Sequence, residues 1–505
     1  MKDIIQRQTF KGSVYSYIGV LIGFLNTVIL MPKLFTTSEI GLTDILVSTS
    51  ALIAQFGTLG FSNVTAKLFP KFRDKSKNHN GFIFLLLIVT TIGFILCLTY
   101  YFIYKQKLID ENIDKSPLFS EYVYLLIPFI FITLFYSIFD TYNKMLFNAS
   151  FGIFVKEFLL RCFNLVGIIL FYFKILDFQG FVYYYTLVFA IPLIFTCVLI
   201  IYKGDFSLKP DFKIFKRKKG LKKEVFSVAF WGLIAGFSGT AIFAIDKILI
   251  NKYCLNGLDD VGIYSRAFYF GSMIMVTSRS FTKISGSIIS QSFKENNLAK
   301  VEEIYKKSVI TLTVLGMLFF LLIWGNVDNI LQILGPAYAK GKYVILFVSL
   351  AHFVQMIAGT SGELINLGKY YRQFSIIMLF IILSIWGFNI LLLPIYGITG
   401  AAIALFISFS IYFFIRLFFI KSKYKFQAYN YKFFLIILFG IISYSIILLI
   451  PQISNFWLDT IIRSAIICIT FCIPIYFFKI SPDINEIIIN SYKKFTDFFK
   501  KINHK

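Results

Sequence analysis

Runs of about 20 apolar residues recur at a spacing of roughly 35 positions between Phe10 and Phe478, and this repetition constrains the fold more than any motif does. A helix rises 1.5 Å per residue, so about 20 residues cross the roughly 30 Å of hydrocarbon in a bilayer. The runs are too long for barrel strands and lack a period of two. The chain is therefore expected to be an all-α polytopic membrane protein with about 14 transmembrane helices. They are expected at 12–31, 40–66, 81–104, 122–142, 151–173, 180–202, 225–250, 261–291, 306–324, 342–362, 373–393, 398–420, 432–450 and 459–478. The 58% hydrophobic content of the 505 residues exceeds the roughly 45–50% of soluble domains.

A net charge of +24 would suggest nucleic acid as a partner of a soluble chain. Here the cations lie between the apolar runs, where the positive-inside rule accounts for them. One alternate set of connections holds about 35 Lys and Arg and the other about 8. The richer set comprises the N-terminus, 67–80, 143–158, 203–224, 292–307, 363–373, 421–433 and the tail from Lys479. It is assigned to the cytoplasm, and an even number of spans puts both termini there. Within it, 203–224 (KGDFSLKPDFKIFKRKKGLKKE) is the longest polar interval. It divides the expected organisation into an N-terminal lobe of six helices at 1–202, the basic cytoplasmic linker at 203–224 and a C-terminal lobe of six helices at 225–420. Two extra helices at 421–478 and a basic cytoplasmic tail at 479–505 follow. The first run, 13–31, is too long for the apolar part of a signal peptide and lacks an A-x-A site, so no cleavable leader is expected. The tail from Ser481 mixes Ile and Phe with Lys, as a surface amphipathic helix or a solvated tail would.

The expected outside connections are short. The longest, 104–121 (YKQKLIDENIDKSPLFSE), leaves no room for a folded catalytic domain. His79, His352 and His504 lack metal-ligand spacing, the cysteines form no C-x-x-C, and no G-x-x-x-x-G-K-[ST] sequence is present. Neither enzymatic activity, nor a metal, nor another cofactor is expected. Cys97, Cys162, Cys197, Cys468 and Cys472 fall within apolar runs and only Cys254 in a loop, so no disulfide framework is expected.

Ionisable residues inside spans cost about 2.5–3.5 kcal/mol each on insertion scales and therefore face a bundle interior or a watery cavity. In the eighth run Ser272, Arg279, Lys283, Gly286 and Ser290 fall on one stripe at 100° per residue. Two like charges one turn apart repel unless water or an anion intervenes, which makes Arg279 and Lys283 candidates for binding an anion. The first run carries Gly12, Ser16, Gly19, Gly23 and Asn26 on a narrow stripe, and the second carries Asp44, Ser48, Gln55, Thr58 and Ser62. Small residues on such stripes also permit close helix packing. Glu157 with Arg161, and Asp140 with Lys144, have the i,i+4 spacing of ion pairs. His352, Gln355 and Glu363 share one side of the tenth run, and His352 reads either as a core histidine or as the start of a proton-coupling path. The segment 36–39 (TTSE) fits a capping box opening the second helix. A positively lined membrane path points to transport of an anionic substrate.

At this point the chain resembles the oligosaccharide and polysaccharide flippases of the multidrug/oligosaccharidyl-lipid/polysaccharide exporter superfamily. The resemblance rests on 31–35 (MPKLF) with 38–41 (SEIG), 57–61 (GTLGF) with 67–69 (KLF), 244–247 (AIDK) with 261–264 (VGIY), 334–338 (LGPAY) and 393–404 (LPIYGITGAAIA). These stretches run from helix 1 to helix 12 in the family's order.

The resemblance implies two six-helix lobes facing each other around a central cavity, with alternating access. It implies a polyprenyl-diphosphate-linked oligosaccharide as substrate, moved from the inner to the outer leaflet of the bacterial cytoplasmic membrane for O-antigen, capsule or exopolysaccharide synthesis. Basic residues bind the diphosphate in such cavities; Arg279 and Lys283 match that role by position, and Arg266 is a further candidate. Asn26, Asp44, Gln55, Ser272 and Gln355 are expected to line the cavity, and Asp140, Asp246 and His352 are candidates for ion coupling. The expected partners are membrane lipid and the polymerase and glycosyltransferases of the same pathway. Flippases of the cell-wall precursor usually carry arginines in helix 1, which here has none beyond Arg7, and this favours a surface polysaccharide. Three rival readings are a cation-coupled multidrug exporter of the same fold, a membrane polymerase or ligase, and a transport-silent assembly partner.

Overall fold

A computed structural model describes residues 14–211, 213–217, 219–481 and 485–486, with Arg279, Ser280 and Lys283 described by their backbone alone. Arg7, Gly12, and the expected tail apart from 479–481 and 485–486 lie outside the described residues. In chain order the principal helices are α1 (Val14–Leu34), α2 (Thr37–Gly57), α3 (Phe61–Phe72), α4 (Phe82–Asn112), α5 (Pro117–Met145), α6 (149–172), α7 (Phe178–Tyr202), α8 (Leu221–Tyr253) and α9 (Leu258–Ser272). They continue as α10 (Ile274–Lys294), α11 (Leu298–Trp324), α12 (Val327–Leu334), α13 (Lys342–Ile357), α14 (Ser361–Leu367), α15 (Tyr371–Tyr396), α16 (Ile398–Lys423), α17 (Tyr431–Leu448) and α18 (Phe456–Phe477). No strand occurs among the described residues.

Every one of the expected runs forms helix, but the expected count of spans is only partly met. Among the described residues eleven helices are long and apolar enough to cross a membrane, or twelve if the pair Pro336–Ile357 and Ser361–Leu367, bent by 56°, is one span. The runs that fall short are α6, with Lys156, Glu157 and Arg161, and the polar α9–α10 stretch. They are the helices that give up hydropathy for charge. Elsewhere Leu21, Leu187 and Phe434 are exposed, the outward apolar surface that a bilayer covers.

Local sequence sets several helix ends. The capping box forms: Thr36 Oγ1 accepts from Glu39 N at 3.3 Å, and Glu39 Oε2 accepts from Thr36 N at 2.7 Å. Thr36→Ala is expected to remove about 1 kcal/mol of stability, read as a lower midpoint in denaturant. Between α2 and α3 the chain turns at Thr58-Leu59-Gly60, with Gly60 at φ +74°. Glycine is needed there twice over, because a Cβ would also stand 1.9 Å from the Ala229 carbonyl oxygen.

The chain forms two compact units by contact, Met1–Arg266 with Met378–Ile398, and Ala267–Ile377 with Thr399–Lys505. In the first unit, α8 lies along α2 and α3. Asn63 donates to the Gly232 carbonyl at 2.9 Å, and Gly236 meets the Gln55 amide. The contact boundary thus differs from the charge boundary at 203–224, because α8 follows the linker yet packs with helices that precede it. The second unit has one core of α11, α13, α17 and α18 around Met317, Ile436 and Phe471, and another around Tyr305, Leu364 and Ile420.

No disulfide joins the described cysteines. Cys254, just beyond α8, is buried, and burial pushes its thiol up to about 12. Essentially no thiolate exists at neutral pH, so a maleimide is expected to spare Cys254 in the folded protein and label it after denaturation.

Candidate functional site

Three helices of the first unit bring charge together. Asp44 on α2 accepts from Arg266 on α9 at 2.8 Å and lies 3.6 Å from Lys247 Nζ on α8. Arg266 is 4% exposed, and its second terminal nitrogen donates to the Thr27 carbonyl of α1 at 3.3 Å. Removing one partner of such a buried pair costs about 3–5 kcal/mol, because the other charge is left in low dielectric. Two cations share the Asp44 carboxylate, with Asp246 as the second acid of the network, and Arg266 Nε has no hydrogen-bond partner among the described residues, a donor that an anion could use.

Beside it, Asp246 on α8 accepts from Tyr264 Oη at 2.6 Å and from Asn389 Nδ2 of α15 at 2.9 Å. The neighbouring position along α8 turns Lys247 toward Asp44. The stretches 244–247 and 261–264, which carry the sequence resemblance, thus supply Asp246, Lys247 and Tyr264 to adjoining parts of one charged network.

Glycines decide how closely these helices approach. A Cβ at Gly41 would stand 2.0 Å from the Leu258 oxygen, and one at Gly262 would stand 2.1 Å from the Thr37 oxygen. At this crossing α2 and α9 run backbone against backbone, and Thr37 Oγ1 donates to Asp259 Oδ1. Nearby, Asn251 bridges Asn112, at 2.6 Å, and Ser116, at 2.8 Å.

The second unit carries its own buried cation. Arg416 on α16 is 5% exposed, donates to Gln355 Oε1 at 2.8 Å and lies with its guanidinium carbon 3.9 Å from the Tyr412 ring centre. Gln355 precedes the α13–α14 bend, and Gly362, just beyond it, faces Arg416.

The other candidate residues are placed one by one. Asn26, expected to line a cavity, is 3% exposed and donates to the Arg161 carbonyl at 2.8 Å. The Gly19 and Gly23 stripe meets the Glu157 carbonyl and the Arg161 side chain, so it is a packing face for α6. Glu157 and Arg161 pair at 2.7 Å, and Asp140 pairs with Lys144 at 2.5 Å. Gln55 sits over Gly236, with Thr240 Oγ1 3.5 Å away. Ser272 donates to the Tyr269 carbonyl where α9 ends. His352 lies between the rings of Phe268 and Phe409, with centroids at 5.7 and 5.9 Å.

Arg279 and Lys283 fall in α10, one turn apart along its backbone; their side chains lie outside the described residues. Gly286, further along the same stripe, faces Glu363 of α14, since a Cβ there would stand 3.7 Å from Glu363 Cγ. Lys247 and Arg416 join the charged interior although neither is among the residues expected there from sequence. Each sits inside an apolar run, which was signal enough, but both stand near a run's end, where cations are common.

Residues 7–283 match the family described as polysaccharide biosynthesis protein. In fold the chain is similar to the lipid II flippase MurJ in an inward closed conformation, with TM-score 0.71 and 15% identity over 93% of this chain and 99% of that one. It is similar as well to a multidrug resistance MATE family transporter in an inward-facing conformation (TM-score 0.59, 14% identity, 80% and 94% covered). A MOP superfamily transporter from Pyrococcus furiosus, described as having a binding pocket of reverse polarity, gives 0.55 at 15% identity, with 84% and 95% covered. No curated protein matches the chain in sequence.

Proposed function

Because the chain belongs to the polysaccharide biosynthesis protein family, we propose that it is a flippase that exports polyprenyl-diphosphate-linked oligosaccharide repeat units. It moves them from the inner to the outer leaflet of the bacterial cytoplasmic membrane, for O-antigen, capsule or exopolysaccharide synthesis. The observation that carries the reading is the pair of cations, Arg266 and Lys247, gathered on the single carboxylate of Asp44 inside an apolar helical unit. A diphosphate exchanges its hydration for charge-assisted hydrogen bonds in such a setting, and arginine presents donors in a fork that fits it. Arg279 and Lys283 are proposed as further contacts for the diphosphate.

In this account the lobes 1–202 and 225–420 alternate between access to the two faces, both termini lie in the cytoplasm, and the prenyl chain stays in lipid. An inside-negative potential supplies about 2.3 kcal/mol per charge per 100 mV and favours outward movement of an anion. Polymerase and glycosyltransferases of the pathway are the proposed partners.

Deleting the gene tests the reading. The expected result is loss of surface polymer and accumulation of single-repeat lipid on the inner leaflet. Accumulation on the outer leaflet would assign the chain to polymerisation, and unchanged pools with new sensitivity to cationic compounds would assign it to drug export. Arg279→Ala/Lys283→Ala is expected to abolish export with normal membrane expression; full export by that variant removes α10 from the diphosphate's contacts.

A further inference from the structure

The described residues of the basic linker 203–224 form a docked element. Asp205 is held by His79 Nε2 at 3.2 Å, with Lys75 Nζ at 3.8 Å, and its carbonyl accepts from Tyr142 Oη at 3.1 Å. The linker backbone at Asp211 lies so close to Gly81 that a Cβ there would stand 2.5 Å from Asp211 N. Asp211 Oδ1 then accepts from Lys213 N at 3.0 Å, opening a short helix, Lys213–Arg217. Ile214 of that helix and Leu221 beyond it are buried in the core of Phe72, Phe82 and Leu86, and Phe215 stands edge-on to Phe72 at 5.7 Å. At the far end Glu224 pairs with Lys71 at 2.6 Å.

All three carboxylates of the linker are thus engaged within the first unit. Lys213, Lys216, Arg217, Lys219, Lys222 and Lys223 are exposed, and none has a carboxylate partner among the described residues. A scaffold that fixes six cations together without counterions leaves them to an outside anion. Lys216 and Lys222 also line a cavity of about 440 Å³, with Leu85 and Phe215 as its other described walls. Apolar walls with two ammonium groups suit a molecule that is both oily and anionic. The linker joins the ends of α7 and α8, two apolar helices long enough to span, so it lies where a bilayer presents its headgroups.

We propose that Lys216, Lys222, Phe215 and Leu85 form a binding site for an anionic phospholipid of the adjacent leaflet, with the acyl chain against Leu85 and Phe215 and the phosphate between the two lysines. The lipid holds the linker, and through Ile214 and Leu221 the first turns of α8, against the core of the first unit. This site is separate from the charged network of Asp44, Lys247 and Arg266, and its readout does not depend on export.

The test uses the purified full-length protein in detergent, with phosphatidylglycerol, phosphatidylcholine or inorganic phosphate added, read by native mass spectrometry and by thermal unfolding. Phosphatidylglycerol is expected to remain bound and to raise the unfolding temperature. Lys216→Gln/Lys222→Gln is expected to lose about five-fold or more of the bound lipid along with that rise, whereas Lys216→Arg/Lys222→Arg keeps both. Equal retention of phosphatidylglycerol by the glutamine variant overturns the proposal. Equal retention of phosphatidylcholine would make the cavity an apolar groove, and stabilisation by inorganic phosphate alone would make it a free-anion site; either result also overturns it.

Discussion

Arg266→Ala is expected to abolish export of the lipid-linked repeat unit, and the neutral pair Asp44→Asn/Arg266→Gln is expected to restore the amount of folded protein without restoring export. The single change strips Asp44 of its 2.8 Å partner and leaves Lys247 at 3.6 Å as its remaining cation. Breaking a buried pair costs about 3–5 kcal/mol, a large share of the ~5–15 kcal/mol that holds a domain together. Loss of export by Arg266→Ala alone could therefore reflect unfolding. Two amides in place of this pair remove the penalty of leaving either member unpaired, and Lys247, which loses Asp44, keeps the Asp246 carboxylate as its counter-charge, so the double variant separates the roles. If Arg266 meets the diphosphate, a lost charge-assisted contact of about 1.5–3 kcal/mol lowers export about ten-fold or more. Export by the double variant at the unaltered rate would reduce Arg266 to a structural partner of Asp44.

Bridging Thr37→Cys to Asp259→Cys with a short bifunctional thiol reagent is expected to stop export, and cleaving the bridge is expected to restore it. The two positions face each other across the crossing of α2 and α9, where Gly41 and Gly262 let the backbones touch. If transport requires these helices to part, a covalent tie at this crossing holds one state. Cys254, close by in sequence, does not interfere because its thiol is buried and protonated. A steric partner to this experiment is Gly41→Val, whose side chain would overlap the Leu258 carbonyl; overpacking of this kind costs about 1–3 kcal/mol and pushes the helices apart. Normal export by the bridged protein would mean that the crossing is a fixed joint.

The helices were legible in the sequence because a bilayer asks one thing of each segment, a long apolar run. The Thr36–Glu39 box and the Glu157–Arg161 pair were legible because both lie within one helical turn of sequence. The candidate site was legible only in pieces. Asp44 and Arg266 were each singled out, but the pair is 222 residues apart in sequence and no periodicity joins them. Asn26 shows the opposite limit. Its stripe of small residues reads as a packing face before a cavity wall, and the Glu157 carbonyl lies against Gly19. Lys247 is hard to single out beside Asp246 in sequence, yet successive residues on a helix point about 100° apart and so enter different surroundings.

The most direct test of the account reconstitutes the purified chain in liposomes with a fluorescent polyprenyl-diphosphate-linked saccharide and follows its appearance in the opposite leaflet. The expected result is movement by the unaltered chain, loss of that movement in Asp44→Asn/Arg266→Gln, and little movement of a prenyl-linked sugar with a neutral headgroup. Movement of the neutral lipid as fast as the diphosphate lipid, or no movement of either, would contradict it.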